Sequence, residues 1–547
     1  MAKNRENTSN KSSSGNAPKK SALNSGTDKV HPKGMPISPS EEGIYEINTD
    51  GQVNTPPEES LEKTRQNRVT AILGDRSELV TLFVQAYNRL DKTKTCLESI
   101  LNYTKGIDFE LILLDNGSTD GTLDFFKQVP YDRKKIYHIS QNVGSLAPAP
   151  HIEWSGRYIV YIPADTYVTK NWLTNLLTCV RSDPKIGVAA PIIFNVDHNE
   201  TPTFTFSSYE EMQEKAAKHN ISDPRLWYER LIMEPSGGVY KREALDIAGK
   251  ISDYGFFHSS SDYDLAFRIR RAGYKTILCQ DTYVHHDHPR TNLQGKDLED
   301  RSRDLRAAAR DFEQKYFGIN GWIDGSNFET ILLSTVDIEQ YNGRNKLEIL
   351  GIDVRCGAPI LELKNKLQMG DHFDTRLSAF TTDPKYWLDL KTICVGEVTS
   401  DRIEYLSEHF TDTLFDFILL GRPINTYAVR PVDLLNILLK KIKPDGHLLI
   451  KLRNTFDVVT TLKSLGANLN VGEAADLPAW QINIEDFNRH VNTLGYQIKK
   501  ISVENWPMDA NIQDVVKRIV NSDSFSDNKN EVLTRILTRD YVLNLAR

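Results

Sequence analysis

The chain has 547 residues, which at roughly 100–200 residues per domain predicts two or three domains. Its formal net charge is −7, and no run of like charges resembles a nucleic-acid-binding tail, so we expect no nucleic-acid partner. The five cysteines are scattered without a C-x-x-C pair, which indicates free thiols in a reducing cytoplasm rather than a disulfide framework or a zinc site. No signal region or membrane span is evident, so we expect a soluble cytoplasmic protein.

Residues 1–70 are rich in Ser, Asn, Lys, Pro and Gly and contain few large apolar residues. Such a segment cannot bury enough apolar surface to offset the entropy of ordering it, so it predicts a disordered tail. A functional tail that docks a partner through residues 42–48 stays open as the less favoured alternative.

Strands and helices alternate through residues 75–325, which we expect to form the first folded domain. Apolar, strand-forming runs cover 79–86, 109–115, 158–163 and 187–194. This alternation predicts an α/β fold with a largely parallel sheet, in which ligands bind beyond the carboxyl ends of the strands. Asn88, Asp115 and Asp165 all fall at that edge and together predict a ligand site.

Asp165 stands just beyond a strand end, where a carboxylate is either a helix cap or a ligand for a group brought in from outside. His285 and His286 lie on a later predicted strand. Successive side chains of a strand face opposite sides, so we expect one of these histidines to face the site.

Residues 260–272 predict a helix with Asp262 in its first turn, where the helix dipole favours the anion. Taken alone, this pattern favours an acid that only stabilises the helix. Asp264 and Arg268 are spaced for an i,i+4 ion pair.

Residues 201–235 interrupt the alternation of strands and helices just before Gly237 and Gly238. The segment is either a surface excursion or a lid or acceptor wall. The paired glycines indicate a backbone that must approach something closely.

The segments LVTLFVQAYNR, LILLDNGSTDGT, QNVG, YIVYIPADTYVTKNWL, PSGGVYKREAL, SDYDLAFRIRRAGYK and VHHDH occur in this order. In this combination the chain resembles inverting glycosyltransferase family 2. The resemblance implies a GT-A fold, a nucleotide-sugar donor and a divalent cation, Mn²⁺ or Mg²⁺.

The resemblance also implies roles for individual residues. Ala86 and Asn88 would meet the nucleotide, Asp115 would contact the base, commonly uracil, and Asn142 and Gly144 would form the turn beneath the donor. The pocket near Gly238 would set the sugar.

For the chemistry, Asp165 would hold the cation on the diphosphate, with His285 completing the metal shell and His286 as the neighbouring alternative. Asp262 would be the general base. Two departures from the family pattern stand out: Pro163 replaces the first acid of the metal motif, and Ser261 replaces a frequent Glu before Asp262.

Residues 340–547 show a second α/β pattern that resembles a class I S-adenosylmethionine-dependent methyltransferase with a Rossmann-like fold. In place of the family's G-x-G-x-G loop the chain has Arg355-Cys356-Gly357-Ala358-Pro359, which argues against catalysis. Glu397, interpreted as the end of the second strand, keeps S-adenosylmethionine binding open. Residues 509–547 are expected to be C-terminal helices that pack on this domain or on another subunit.

We therefore predict transfer of a sugar from a nucleoside-diphosphate sugar, UDP-linked, to a glycan, a lipid-linked glycan or a protein such as flagellin during synthesis of a cell-surface glycoconjugate. The alternatives are a bifunctional glycosyltransferase and methyltransferase, and a catalytically degenerate scaffold protein.

Overall fold

The structure is a computed structural model of the chain. It describes residues 40, 42–47, 78–144, 146–193, 204–233, 236–249, 251, 260–287, 296–338, 346–464, 478–506, 510–521 and 528–547. Most of the predicted tail, residues 1–39, 41 and 48–70, lies outside the described residues.

The first sheet has ten strands. They are β1 (Ile44–Glu46), β2 (Val80–Ala86), β3 (Phe109–Asn116), β4 (Lys134–Ile139), β5 (Tyr158–Pro163), β6 (Thr166–Tyr167), β7 (Ile186–Ile193), β8 (Trp227–Glu229), β9 (Val239–Lys241) and β10 (Lys275–His286). Their order across the sheet is β1-β4-β3-β2-β5-β9-β7-β10-β6, and β8 pairs with β10. The strands from β1 to β5 pair in parallel, as β7 and β10 do, so the predicted parallel arrangement is confirmed for these strands. β9 is antiparallel to both of its neighbours.

Helices connect and cover these strands. They are α1 (Leu90–Tyr103), α2 (Thr122–Gln128), α3 (Trp172–Ser182), α4 (Tyr209–His219), α5 (Arg242–Ala248), α6 (Ser261–Arg271), α7 (Lys296–Lys315), α8 (Gly321–Gly325) and α9 (Thr330–Leu333). The helical spacing predicted for α1 is confirmed, because Cys96, Leu97 and Ile100 are buried on one face.

The second sheet has seven strands. They are β11 (Leu347–Ile352), β12 (Thr375–Thr381), β13 (Val398–Ser400), β14 (Phe415–Leu420), β15 (Ile442–Arg453), β16 (Gln497–Asn505) and β17 (Thr538–Ala546). They lie in the order β13-β12-β11-β14-β15-β17-β16. The first five strands pair in parallel in the doubly wound order 3-2-1-4-5, so the predicted Rossmann-like arrangement is confirmed. β17 runs antiparallel between β15 and β16.

The helices of this half are α10 (Ala358–Met369), α11 (Trp387–Ile393), α12 (Pro431–Leu439), α13 (Val458–Ser464), α14 (Ile484–Thr493), α15 (Ala510–Val520) and α16 (Lys529–Leu537). Short 3-10 helices cover Ala149–His151, Pro224–Leu226, Pro384–Tyr386, Ile403–Glu408 and Ile424–Thr426.

The N-terminal segment departs from the predicted disorder. Residues 44–46 form β1, which pairs in parallel with β4. Ile44 and Ile47 are buried, and the Tyr45 ring stacks on Tyr137 with the ring centroids 5.0 Å apart. These apolar contacts order the segment against the chain's own sheet, so the predicted disorder is wrong for residues 44–47, while docking of a partner stays a prediction.

Two predictions in the second half are wrong. The second strand is β12, which ends at Thr381, so Glu397 precedes the third strand instead of ending the second. The C-terminal residues are not all helical either, because Thr538–Ala546 form β17. This run is almost wholly buried between two strands, which favours an extended conformation.

The two sheets share one apolar cluster. Leu231, Phe267 and Phe312 from the first half belong to the same contiguous core as Leu361 and Leu390 from the second. The second sheet is therefore packed directly against the helices that flank β10.

Candidate active site

Three neighbouring parallel strands end together at one edge of the first sheet. In their register Ala86 lies opposite Asp115, and Gln85 lies opposite Pro163. The Ala164 N–H continues the pairing with a 2.9 Å hydrogen bond to the Gln85 carbonyl oxygen. Asp165, the next residue, therefore lies at the same edge as Ala86 and Asp115, and this edge is where ligands bind in such sheets.

The turn after β2 is tied to the turn after β3. Asn88 and Arg89 both have positive φ, 55° and 59°, a conformation in which asparagine is among the better tolerated residues. The Asn88 N–H donates to Ser118 Oγ at 2.8 Å, and Asn88 Oδ1 accepts from the Thr119 N–H at 2.9 Å. Asn88 thereby fixes the two turns that would enclose a nucleotide.

Asp115 is fully buried and has two partners in the sheet edge. Its Oδ1 accepts from the Ser118 N–H at 3.0 Å, and its Oδ2 lies 2.9 Å from His138 Nδ1. His138 stands opposite Asp115 in the β3–β4 register, so the pair follows from strand pairing. The predicted base-binding acid is thus oriented by a histidine to which the sequence analysis gave no role.

The predicted donor turn at Asn142 and Gly144 is held by two amide side chains. Asn116 Nδ2 donates to Asn142 Oδ1 at 3.1 Å and to the Gly144 carbonyl oxygen at 2.7 Å, and Gln85 Nε2 reaches the same carbonyl at 3.0 Å. A side chain at Gly117 would clash with the 141–142 backbone, the nearest atom lying 2.6 Å from its Cβ position, which explains a glycine there.

Asp165 lies between a guanidinium and an imidazole. Its Oδ2 is 3.2 Å from Arg89 Nη1, and its Oδ1 is 3.2 Å from His286 Nε2. β6 brings the histidine there, because His286 pairs with Thr166 in the antiparallel register. Arg89 is about half exposed at 46%, so this end of the pair borders solvent.

The His285 side chain lies on the opposite face of β10 from that of His286, because successive side chains of a strand alternate between faces. Its Nδ1 lies 3.0 Å from the Tyr283 hydroxyl, and its ring contacts Tyr167 and Phe206. Burial lowers the pKa of His285 to about 4. The structure therefore brings His286, and not His285, next to Asp165.

Asp287 adds a second carboxylate beside this strand end. Its N–H donates to the Asp165 carbonyl oxygen at 2.8 Å, while its Oδ2 lies 3.0 Å from Lys92 Nζ and accepts from the Tyr167 hydroxyl at 3.1 Å. Burial opposes ionisation, yet the Lys92 ammonium lowers the pKa of the Asp287 carboxyl. This network anchors the Asp165 backbone from β10.

Two side chains at this place carry atoms of the kind that bind a divalent cation. Within the described residues no group of three or more His, Cys, Asp or Glu could hold a metal. Asp165 Oδ1 and His286 Nε2 nevertheless face each other at 3.2 Å, and carboxylate oxygen and neutral imidazole nitrogen are both donors to Mn²⁺. The pair suits a cation whose other positions are filled by phosphate oxygens and water.

Asp262 lies half-buried in the first turn of α6, the helix that leads into β10. A helix that precedes a parallel strand begins at the carboxyl edge of the sheet, so Asp262 lies on the side of the strand ends. Asp264 is fully buried and binds Arg268 Nε at 2.8 Å, Lys315 Nζ at 2.5 Å and the Tyr316 hydroxyl at 2.6 Å. The predicted pair of Asp264 with Arg268 is confirmed.

Comparison with known proteins finds a match in the first half. Residues 81–246 match the family model "Glycosyl transferase family 2". This part of the chain is therefore similar to family 2 glycosyltransferases. The match includes Ala86, Asn88, Asp115 and Asp165, whereas Asp262, His285 and His286 lie beyond it.

Curated relatives match parts of the chain. An uncharacterized protein of Sinorhizobium fredii is 21% identical over 42% of this chain and 28% of its own length. A poly(ribitol-phosphate) beta-glucosyltransferase of Bacillus spizizenii is 30% identical over 16% of this chain and 15% of its own length. A hyaluronan synthase of Pasteurella multocida is 30% identical over 17% of this chain and 10% of its own length. The chain thus spans less than a third of the length of each of these relatives.

Two kinds of solved structure resemble the chain. GalNAc-T7 with UDP, GalNAc and Mn²⁺ covers 52% of this chain and 63% of its own, with 14% identity and a TM-score of 0.33. A SAM-dependent methyltransferase from Archaeoglobus fulgidus covers 43% of this chain and 98% of its own, with 18% identity and a TM-score of 0.27. Within the described residues, no helix combines the length and apolar character needed to span a bilayer.

The paired glycines lie beside the strand ends of the first sheet. Gly237 donates its N–H to the Tyr161 carbonyl oxygen at 2.8 Å, next to the end of β5. Gly238 is buried and directly precedes β9. Residues 204–233 are more than a surface excursion, because they contribute β8 to the sheet and pack Met212 and Ala216 of α4 in one cluster with Tyr283. The remaining residues of the 201–235 segment lie outside the described part.

The second sheet does not fit S-adenosylmethionine. Arg355 occupies its loop and donates from Nη1 to the Ile323 carbonyl oxygen at 2.9 Å, so α8 lies on the loop. A Cβ at Gly357 would overlap the Ile393 side chain, so that glycine contacts protein instead of a ligand. Asp383, the acid that follows β12, accepts from the Lys385 N–H at 3.1 Å as a helix cap.

Proposed function

We propose that the protein is a metal-dependent inverting glycosyltransferase that moves a sugar from a UDP-sugar to a glycan acceptor. The observation that carries the proposal is the convergence at one sheet edge of the Asn88 and Asp115 turns with the Asp165–His286 pair. The family match over residues 81–246 supports the same reaction class.

The nucleoside would bind over the turns after β2, β3 and β4. Asp115 presents a buried carboxylate, a strong acceptor for an N–H of the base, and His138 keeps that carboxylate oriented. Asn116 and Gln85 hold the turn at Asn142 and Gly144 beneath the donor. Because this turn is already ordered by these hydrogen bonds, donor binding would lose less conformational entropy.

The diphosphate would lie toward Asp165. Asp165 and His286 would hold a divalent cation, which when bound neutralises charge on the departing nucleoside diphosphate. The half-exposed Arg89 guanidinium, now on Asp165 Oδ2, supplies a second cationic group at this end. Neutralisation of the leaving group lowers the barrier to breaking the bond between the sugar and the phosphate.

Asp262 would act as the general base. It would take the proton of an acceptor hydroxyl while that oxygen forms a bond to the anomeric carbon and the bond from this carbon to the diphosphate oxygen breaks on the opposite face. The nucleoside diphosphate leaves with the bonding electron pair. Asp262 lies in the first turn of α6, where the helix dipole favours a carboxylate.

The acceptor would be a polymer of the cell surface, and the reaction would occur in the cytoplasm. Relatives of the chain support this class, since they include a poly(ribitol-phosphate) beta-glucosyltransferase, a hyaluronan synthase and a chondroitin synthase. Lipid-linked glycan and protein acceptors such as flagellin are the other substrates to include in the assay, and an oligomer formed through the C-terminal half is the partner arrangement to test.

The experiment is a panel of UDP- and GDP-sugars incubated with the full-length protein and Mn²⁺, with release of nucleoside diphosphate as the readout. We expect UDP release from at least one UDP-sugar, and its loss in Asp262→Asn and Asp165→Asn variants that keep the wild-type circular dichroism. Wild-type protein that turns over no nucleotide sugar would instead favour a degenerate scaffold. Turnover that is unchanged in Asp262→Asn would remove the base assignment.

A further inference from the structure

The helix α11 lies between the unused loop of the second sheet and the helix that carries Asp262. On one side Leu390 and Ile393 pack against the Cβ position of Gly357. On the other side Asp389 faces the end of α6. A segment that would border a cofactor in a methyltransferase-like fold is therefore in contact with the glycosyltransferase half.

Asp389 is fully buried and binds two arginines of α6. Arg271 donates to it from Nε at 3.1 Å and from Nη2 at 2.7 Å, the paired geometry that fixes orientation best. Arg270 Nη2 lies 3.6 Å from the same carboxylate, and Arg270 Nη1 donates to Thr392 Oγ1 at 3.0 Å. Asp262 lies at the start of the same helix, nine residues before Arg271 and about 13 Å away at 1.5 Å per residue.

A second set of contacts holds the segment beside β10. Asn365 of α10 pairs with the Glu229 backbone in both directions, accepting from its N–H at 3.0 Å and donating to its carbonyl oxygen at 3.1 Å. Lys364 Nζ lies 2.5 Å from the Glu229 carboxylate, and Arg230 Nη1 lies 3.0 Å from Glu362 Oε1. Helices α10 and α11 of the second half thus contact both α6 and the end of the 204–233 segment.

We infer that the second α/β half serves as a brace for sugar transfer, in which Asp389 positions the helix that carries Asp262 and Asn365 positions the end of the 204–233 segment. The inference rests on the proposed function and assigns the methyltransferase-like half a role without methyl transfer. A buried ion pair is weak evidence for stability alone, because desolvation of the charges offsets much of their attraction. The two parallel hydrogen bonds between Arg271 and Asp389 lie at the end of α6, so the pair is better explained as fixing the orientation of this helix.

The test compares Asp389→Asn with Asp540→Asn in the full-length protein. Asp540 is also a buried carboxylate held by an arginine, Arg453 Nε at 2.5 Å, but it lies within the second sheet and away from α6. Both variants should lower the melting temperature. Asp389→Asn alone should lower kcat by about tenfold or more, because small misplacement of a reacting group has a large effect on rate, while the donor KM stays within about twofold.

A conservative variant and a pH profile separate positioning from loss of fold. Asp389→Glu should recover part of kcat, and the acid limb of the kcat profile should move in Asp389→Asn but not in Asp540→Asn. If Asp389→Asn does not fold, Arg271→Lys, which keeps the charge and loses the forked geometry, takes its place. Equal kcat values in the two Asp→Asn variants would overturn the inference that Asp389 positions the helix that carries Asp262. Absence of turnover in the wild type would instead overturn the proposed function.

Discussion

The His286 imidazole at the end of β10 and the Asp165 carboxylate in the turn between β5 and β6 meet with Nε2 and Oδ1 3.2 Å apart. Pro163 leaves Asp165 without the companion acid of the family pattern, and the structure supplies an imidazole at that place. Whether this donor set is used can be measured directly.

His286→Ala should raise the Mn²⁺ concentration for half-maximal activity by about tenfold or more, because one of two protein donors is removed. His285→Ala is the matched control, since its ring lies in the aromatic cluster with Tyr167 and Phe206. It should lower stability and leave the Mn²⁺ requirement near that of the wild type. Treatment with EDTA should abolish wild-type activity, and Mn²⁺ should restore it. The assignment of His286 is wrong if the two variants exchange these behaviours.

His138→Ala should weaken donor binding. The change leaves Asp115 Oδ2 without its imidazole partner in a fully buried position, at a cost of roughly 1–3 kcal/mol. We expect the donor KM to rise about five- to hundredfold with a smaller change in kcat. The control is His219→Ala. It removes a histidine of α4 whose Nε2 lies 2.9 Å from the Gln280 carbonyl oxygen on β10. Similar donor KM values for the two variants would count against a role for the Asp115–His138 pair.

Ile44→Ala should destabilise the protein by roughly 2–4 kcal/mol, because this buried side chain anchors β1 to the sheet edge. Glu46→Ala on the same strand is exposed and should change stability by no more than about 0.5 kcal/mol. Urea denaturation of both variants measures the difference. Equal midpoints would show that β1 contributes little to the fold.

Asp120 should make stability depend on pH in the acid range. It accepts from the Leu90 N–H at 2.8 Å and from Thr122 Oγ1 at 2.6 Å. Burial alone raises its pKa, but these hydrogen bonds outweigh burial, and the pKa of the Asp120 carboxyl is lowered. Because the folded value lies below the unfolded value of about 3.9, the stabilisation is complete above that pH and is lost as pH falls through the folded value.

Asp120→Ala should accordingly cost about 1 kcal/mol at pH 7, because the N–H groups of Leu90 and Thr122, at the starts of α1 and α2, lose their carboxylate acceptor. The difference from wild type should shrink as the pH falls below about 4. Asp120→Asn keeps a neutral acceptor and does not titrate, so its difference from wild type should be smaller at pH 7 and should also shrink as the pH falls below about 4. A constant gap between wild type and Asp120→Ala from pH 7 to pH 3 would contradict this account.

The sequence predicts well what depends on runs of apolar residues. The strands ending at Ala86, Asn116 and Pro163 and the helix beginning at Ser261 lie where the pattern places them. Their order along the chain also predicts that Asn88, Asp115 and Asp165 share a sheet edge.

The sequence does not predict what depends on pairing between distant segments. Alternation shows that His285 and His286 face opposite ways, but only the pairing with β6 decides which one reaches Asp165. His138 becomes visible as a partner only once β4 is aligned with β3. β12 has polar residues at its start, and β17 follows a helix directly, so neither gives a clear local signal. Without β12, the strand beside Glu397 counts as the second along the chain instead of the third.

The apolar cluster that contains both Phe267 and Leu390 has a thermodynamic consequence. Halves of a chain that meet through a small polar surface move and melt separately, whereas a continuous hydrophobic interface couples them. Heating should therefore give one calorimetric peak with equal van't Hoff and calorimetric enthalpies, and the two α/β halves should behave as a single cooperative unit.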